Sequence, residues 1–206
     1  AVTDSGITPP VSPRVRRAFG LLERLAPTIG SRWAVELWCT PPAVDMSLRM
    51  PPGVAAGEPV EAFWDGHRIA GEAWGDGPPV YLVHGWGGCR AHLAVFVKPL
   101  VAKGYRVIAF DLPGHNESDS GALAAGRTTV IECAEALRAV VQEHGPARAV
   151  VAHSLGAKAA ALAAVRGASI DRMVFLAPMA TSPRTWICSP IVMGSDRGSA
   201  PVCNTV

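Results

Sequence analysis

The sequence lacks a strong excess of charge and lacks any long apolar run. Its 19 Lys and Arg residues nearly balance 17 Asp and Glu, so the formal net charge is +2, and 49% of the 206 residues are hydrophobic. This balance excludes a disordered or polyionic protein and offers no electrostatic footprint for nucleic acid. No apolar stretch reaches the length of a membrane span, and residues 1–6 lack the basic-then-apolar order of a signal peptide. We therefore expect a cytoplasmic protein that binds a small ligand.

Cysteines with metal-binding spacing are also missing. The five cysteines have no C-x-x-C spacing and no accompanying histidines. They are Cys39, Cys89, Cys133, Cys188 and Cys203. This scatter disfavours a zinc site or a disulfide framework and is typical of buried or idle thiols. We predict no metal site and no cofactor.

The length suits one domain with a substantial core, preceded by a helical lead. Residues 1–58 are expected to form two short helices, divided by Pro27 and Gly30, and a Pro/Gly/Ala connector. Residues 59–180 form the predicted core. The composition of residues 181–206 changes to Ser, Thr, Pro and Cys with no regular period, so we expect an irregular tail.

Apolar runs alternate with helical patterns along the core. Strands are expected at 60–64, 67–74, 80–84, 105–111, 147–152 and 172–178, and helices at 90–103, 129–144 and 155–165. This order predicts an α/β fold, a doubly wound and mostly parallel sheet with helices on both faces and an antiparallel hairpin at its start. The loops after His84, after Asp111 and at Ser154 then leave the same edge of the sheet, where ligands of such sheets bind.

The segment Ala152-His153-Ser154-Leu155-Gly156 joins an apolar strand to an Ala-rich helix. A serine on such a sharp turn carries its hydroxyl at the carboxyl end of the strand, beside the first amides of the helix. Small residues two positions before and after the serine leave room for the turn, and here they are Ala152 and Gly156. Taken alone, the segment also fits a buried small residue before a helix N-cap.

Two further segments accompany this turn. One is His84-Gly85-Trp86-Gly87-Gly88, and the other is Asp111-Leu112-Pro113-Gly114-His115-Asn116-Glu117-Ser118. In order and spacing the three segments resemble the nucleophile elbow, the HGxGG oxyanion loop and the D-x-P-G-H-G-x-S loop of the α/β-hydrolase superfamily, in particular its single-domain esterase, lipase and serine-aminopeptidase-like members. Asn116 departs from the family's glycine. Asn is the residue other than glycine that best tolerates positive φ, so this departure is compatible with the motif.

The resemblance implies a nucleophile and an oxyanion hole. Ser154 would attack an acyl carbonyl, and the backbone amides of Trp86 and Leu155 would hold the oxyanion. Gly85 and Gly87, with His84 and Gly156, would support these two loops. The implied reaction is hydrolysis of an ester, thioester or amide bond in a small acyl substrate. The family variant with an Asp nucleophile, found in dehalogenases and epoxide hydrolases, is disfavoured because position 154 is Ser.

A catalytic histidine after the nucleophile is missing. The family places its acid and base downstream, yet none of the six histidines follows Ser154. Of the later acids, Asp171 precedes a strand and Asp196 lies in the tail. We interpret His84 and His115 as hydrogen bonders within loops, His153 as a neighbour turned away from Ser154, and His67, His92 and His144 as surface residues. Recruitment of His84 or His153 as the base is the alternative.

Two hypotheses of different classes therefore remain. The first is a serine hydrolase whose base and acid are lost or lie beyond this chain. The second is a non-catalytic protein that keeps the fold as a ligand-binding or interaction module. The cap segment and last two strands of the family have no counterpart in the sequence, which suggests a truncated or frame-shifted product. Neither the substrate nor the oligomeric state follows from these residues.

Overall fold

The computed structural model describes residues 12–42, 50–122 and 124–179 and the backbone of 192–194. Two compact units divide after Cys39, and each is described here by itself. The described residues do not include 1–11, most of the tail, Asp196, Cys188 or Cys203.

The first unit is a pair of helices, α1 (Pro13–Leu25) and α2 (Pro27–Cys39). The rings of Phe19 and Trp33 stack between them, with centroids 4.6 Å apart. The predicted break at Pro27 is confirmed, but the one at Gly30 is wrong, since Gly30 lies inside α2. A Cβ at Gly30 would sit 3.2 Å from Cβ of Leu22, so the glycine lets the helices approach closely and offsets its poor helix propensity.

The second unit is built on one mixed sheet. Its strands are β1 (Glu58–Trp64), β2 (His67–Trp74), β3 (Pro79–Val83), β4 (Arg106–Phe110), β5 (Ala149–His153), β6 (Arg172–Leu176) and β7 (Val192–Gly194). In the described residues their order is β1-β2-β4-β3-β5-β6-β7. The central β4, β3, β5 and β6 are parallel, while the β1–β2 hairpin and β7 are antiparallel. The predicted mostly parallel α/β sheet with an initial hairpin is confirmed.

Helices cover both faces of the sheet. A 3₁₀-helix (Arg90–Phe96) and α3 (Val97–Val101) follow β3, α4 (Val130–His144) precedes β5, and α5 (Leu155–Val165) follows it. The sequence predicts a single helix over 90–103, whereas the structure divides it. Pro99 has no N–H to bond back into the preceding turn, so α-helical bonding begins only just before it.

Alternation along the central strands separates two apolar layers. One layer packs on α4 and α5, and the other packs on the 3₁₀-helix and α3. The first contains Tyr81, Val83, Ile108, Phe110, Val150 and Ala152, and the second contains Val80, Leu82, Val107, Ala109 and Val151. Because both faces are buried, these strands read as continuous apolar runs, which explains why the sequence located them.

The expectation of a tail without strands is wrong at Val192–Gly194. These residues pair antiparallel with β6, with Arg172 opposite Gly194 and Val174 opposite Val192. The backbone groups of β6 that face away from β5 are therefore paired along this stretch.

Two of the cysteines are buried in the second unit. Burial raises the pKa of the Cys89 thiol and raises that of Cys133 to about 12. Their burial agrees with the prediction of buried or idle thiols at these two positions, and a raised pKa disfavours the reactive thiolate.

Candidate active site

Ser154 occupies a strained turn between β5 and α5. Its φ is +51° and its ψ is −114°, a conformation that residues with a Cβ rarely adopt. Its N–H donates to the carbonyl of Leu176 at 3.1 Å. Its own carbonyl accepts from the amides of Ala157 at 3.2 Å and Met179 at 3.3 Å. Bonds from both sides thus hold the turn against β6 and the start of α5.

The space beside the turn admits no larger residues. A Cβ at Gly156 would lie 2.6 Å from the carbonyl oxygen of Val83 and closer still to that of His84. Ala152 is fully buried. The helix after Ser154 therefore packs directly on the backbone that follows β3, and this close approach depends on the missing side chain at position 156.

The glycine-rich loop after β3 reaches the serine. A Cβ at Gly85 would lie 3.0 Å from Cβ of Ser154 and 2.9 Å from Nδ1 of His153. The amide of Gly88 donates to the carbonyl of Gly85 at 3.0 Å and closes the loop into a turn. Two of the segments that the sequence expects at one edge of the sheet are therefore in contact.

The backbone amides of Trp86 and Leu155, close to Ser154, have no acceptor among the described residues. Leu155 begins α5, where the first N–H groups of a helix have no partner within it and carry a partial positive charge. Trp86 lies between Gly85 and Gly87, and the amide of Gly87 is already bonded to Nε2 of His115 at 3.1 Å. The arrangement leaves donors suited to a developing negative charge.

The imidazoles of His84 and His115 are buried hydrogen bonders, as the sequence predicts. Nε2 of His84 accepts from the amide of Leu112 at 3.0 Å, and its Nδ1 lies 2.7 Å from the carbonyl oxygen of Gly85. Nδ1 of His115 lies 3.0 Å from the carbonyl oxygen of Pro113. In both rings Nε2 faces an N–H donor, so the proton is assigned to Nδ1.

Neither imidazole is available as a base for Ser154. Burial, with a smaller effect of the nearby His115, lowers the pKa of His84 to about 3. Burial also lowers the pKa of His115. Both nitrogens of each ring are occupied by backbone groups, which contradicts the alternative that His84 takes the serine proton. His153 is exposed, and within the described ranges no hydrogen bond joins it to Ser154.

Sequence reasoning missed the buried arginine that follows the glycine-rich loop. Arg90 is 5% exposed, and its guanidinium pairs with the carboxylates of Asp111, Glu72 and Glu117. Its Nε lies 3.0 Å from Glu72, its Nη2 lies 2.8 Å from Glu117, and its amide donates to Asp111 at 2.9 Å. Burial alone would lower the pKa of Arg90, but the charge of Asp111 and the other carboxylates hold it above its ordinary value. Pairs this distant in sequence leave no local signal.

The loop after β4 is tied to the loop after β3. Asn116 has φ +43°, a conformation that asparagine tolerates better than other residues with a Cβ. Its Nδ2 donates to the carbonyl of Gly88 at 3.1 Å and to Asp111 at 3.3 Å. The hydroxyl of Ser118 donates to the carbonyl of Asp111 at 2.6 Å and accepts from the amide of Ala70 at 2.9 Å, which links the loop to β2.

The downstream acid that the structure describes lies at the wrong edge. Asp171 precedes β6, so it sits at the amino ends of the parallel strands, where it pairs with Arg148 at 3.3 Å. Ser154 sits at the carboxyl ends. Within the described residues, the site therefore contains a serine and two open amides without an imidazole bonded to the hydroxyl.

A cleft of about 680 Å³ lies elsewhere on the second unit. It is lined by residues 53–58, 73–76, 97–98 and 101–102. The residues at 75 and 76 come before β3, at the edge opposite Ser154, and none of the predicted site residues lines the cleft. We therefore place the candidate site at Ser154.

Comparisons with known proteins agree with this fold. The sequence model of a family described as alpha/beta hydrolase fold matches residues 78–194. The dihydrolipoyllysine-residue acetyltransferase component of an acetoin cleaving system from Pseudomonas putida is 42% identical over 81 residues, which are 39% of this chain and 21% of that protein.

Solved structures align over more than half of the chain. An alpha/beta hydrolase from Sphaerobacter thermophilus is 34% identical with a TM-score of 0.50, over 58% of this chain and 44% of its own. The thioesterase domain of the curacin biosynthetic pathway is 29% identical with a TM-score of 0.53, over 60% of this chain and 47% of its own. The chain thus spans less than half the length of these relatives. None of the helices in the described ranges is long and apolar enough to cross a membrane.

Proposed function

The chain belongs to the α/β-hydrolase fold family, and on that premise we propose that Ser154 is the nucleophile of a serine hydrolase. The bond cleaved is an ester, thioester or amide of a small acyl substrate. One relative is a thioesterase domain and another is an acetyltransferase component, and both names refer to acyl groups, which supports this substrate class.

The strained backbone of Ser154 carries the proposal. Holding a residue with a Cβ in such a conformation costs about 1–3 kcal/mol. A serine directly before a helix ordinarily stabilises it by accepting a hydrogen bond from an amide of the first turn. The Ser154 hydroxyl makes no such bond to α5. The alternative of a buried small residue before a helix N-cap does not fit, because Ser154 is only partly buried and itself occupies the N-cap position of α5. A catalytic elbow accounts for both the strain and the uncommitted hydroxyl.

The proposed chemistry begins with attack of Oγ of Ser154 on the acyl carbonyl. The carbonyl oxygen becomes an oxyanion held by the N–H groups of Trp86 and Leu155, each worth about 3 to 4 kcal/mol of transition-state stabilisation. A base takes the serine proton and then gives it to the leaving oxygen, sulfur or nitrogen as the acyl bond breaks, so that an alcohol, thiol or amine is released. Water then hydrolyses the acyl-serine.

A non-catalytic role is the second candidate, and one observation favours it. The two buried imidazoles near Ser154, those of His84 and His115, are bonded to backbone, and among the described residues no imidazole bonds the Ser154 hydroxyl. Removing the base from such a triad costs about 10⁶-fold in turnover. We therefore expect the 206-residue chain to hydrolyse esters close to the background rate, while Ser154 still reacts slowly with a strong electrophile.

Labelling with a fluorophosphonate probe tests the proposal. Wild-type protein should be labelled at Ser154, as located by peptide mapping, and Ser154→Ala should lose the label. Ser169→Ala, which removes an exposed hydroxyl away from the site, is the matched control and should keep it. Labelling that is equal in Ser154→Ala and wild type would refute the assignment, and an unlabelled Ser154 would favour the non-catalytic role.

A further inference from the structure

Two buried histidines join the loops after β3 and β4 by hydrogen bonds that run in opposite directions. His84, on the first loop, accepts the amide of Leu112 on the second at 3.0 Å. His115, on the second loop, accepts the amide of Gly87 on the first at 3.1 Å. Their rings meet edge to face with centroids 5.0 Å apart. The imidazole of each loop therefore accepts a hydrogen bond from the backbone of the other loop.

The protonation of both rings follows from these partners. A backbone N–H can only donate, so each Nε2 must be the acceptor and each Nδ1 must carry the proton. Nδ1–H of His84 then donates to the carbonyl of Gly85 at 2.7 Å, and that of His115 donates to the carbonyl of Pro113 at 3.0 Å. Every polar atom of the two rings is satisfied in the neutral state, and a second proton on either ring would face an N–H group.

The bond to Gly85 bears on the oxyanion donor. The carbonyl of Gly85 and the N–H of Trp86 belong to one planar trans peptide, so they point in opposite directions. That carbonyl accepts two bonds, from Nδ1–H of His84 at 2.7 Å and from the amide of Gly88 at 3.0 Å. Turning the peptide over would break both bonds and leave two buried groups unsatisfied, a cost of about 1–3 kcal/mol for each group.

The next peptide is held as well. The N–H of Gly87 shares a plane with the carbonyl of Trp86, and it is bonded to Nε2 of His115. The peptides on both sides of the Trp86 α-carbon are therefore fixed by one histidine each. We propose that His84 and His115 are positioning residues that lock the Gly85–Trp86 and Trp86–Gly87 peptides so that the N–H of Trp86 stays directed at the oxyanion.

The surroundings favour the neutral rings that this lock requires. Burial is the largest cause of the lowered pKa of both histidines. The imidazoles of His92, His115 and His153 lie near His84 and oppose a charge there, while Asp111 lies near His115 and favours one. Only the effect of the lock on an oxyanion rests on the proposed function of Ser154. The hydrogen bonds themselves can be measured without any reaction.

Nuclear magnetic resonance of the full chain labelled with ¹⁵N tests the bonds directly. We expect Nδ1-protonated, neutral rings at His84 and His115 at pH 6, with ¹⁵N–¹⁵N couplings across the bonds from Leu112 and Gly87. An Nε2-protonated tautomer or a charged ring at either position would overturn the proposal. An intact lock beside an unlabelled Ser154 would instead refute only the proposed function.

Variants test the positioning role. His115→Leu should slow fluorophosphonate labelling of Ser154 on the order of 100-fold, the effect of losing one oxyanion donor. His115→Gln, whose amide oxygen can accept from Gly87, should recover most of that rate. His67→Leu, outside both loops, is the control and should leave it unchanged. Equal slowing in the Leu and Gln variants, or none in either, would contradict the role of the bond from Gly87.

Discussion

Replacing Gly156 with alanine should test the contact between the elbow and the backbone after β3. The added Cβ would lie 2.6 Å from the carbonyl oxygen of Val83 and 3.0 Å from its Cγ1, and closer to the carbonyl oxygen of His84. An ordinary contact needs about 3.4 Å or more, and the obstructing oxygens are backbone atoms of a buried parallel strand and the loop after it. The start of α5 must therefore shift by roughly 1 Å, and overpacking of this kind typically destabilises a protein by about 1–3 kcal/mol.

Urea unfolding, monitored by tryptophan fluorescence, measures this loss of stability. Gly156→Ala should lower the free energy of unfolding by about 1–3 kcal/mol, and the displaced Leu155 amide should also slow labelling of Ser154. Gly20→Ala is the matched control, because nothing lies within 4 Å of the added Cβ and alanine favours its helix. Wild-type stability and labelling in Gly156→Ala would refute the close approach that the structure places there.

Three further predictions concern the loops. Gly85→Val should abolish labelling of Ser154, because its Cβ would lie 3.0 Å from Cβ of Ser154 and 2.9 Å from Nδ1 of His153. Trp86→Phe should keep most of the labelling, because the proposed donor is a backbone N–H. Equal labelling of the two variants would contradict this prediction. Arg90→Met should lower the free energy of unfolding in urea by about 3–5 kcal/mol, since it leaves the buried carboxylate of Asp111 without its partner. Arg138→Met should lower it by less than about 1 kcal/mol, because the Arg138 side chain is 40% exposed. Similar losses in the two variants would count against a contribution from the buried pair. As the pH falls below about 6.5, His84 gains a proton in the unfolded chain, whereas in the native state its ring stays neutral down to about pH 3. The free energy of unfolding should therefore decrease across this window by at most roughly 5 kcal/mol. The same dependence of this free energy on pH in His84→Gln would contradict the buried neutral ring.

Local patterns predicted those features that depend on local causes. The α5 helix has the predicted bounds because an Ala-rich run follows the turn at Ser154. The buried strands followed from apolar runs, and the positive φ of Asn116 followed from the tolerance of asparagine for that conformation. The contact between the loop after β3 and Ser154 followed from parallel topology, which brings carboxyl ends of strands to one edge.

Features that depend on distant partners were not predictable in this way. Gly30 reads as a helix breaker, yet packing against Leu22 keeps it inside α2. Arg90 reads as a surface residue at the start of a helix, and only the folded chain brings Glu72, Asp111 and Glu117 around it. The two histidine bonds likewise join residues 28 positions apart, so the pattern indicated hydrogen bonding but not its partners.

Trapping an acyl-enzyme tests the central claim most directly, because it asks whether Oγ of Ser154 attacks a carbonyl carbon. The protein would be incubated with p-nitrophenyl acetate, quenched in acid, digested and mapped by tandem mass spectrometry, with Ser154→Ala treated in parallel. We predict one acetyl group on Ser154 that accumulates, since hydrolysis of the acyl-serine also needs a base. Acetylation confined to lysine or cysteine residues, at the same level in Ser154→Ala, would contradict the claim that Ser154 is a nucleophile.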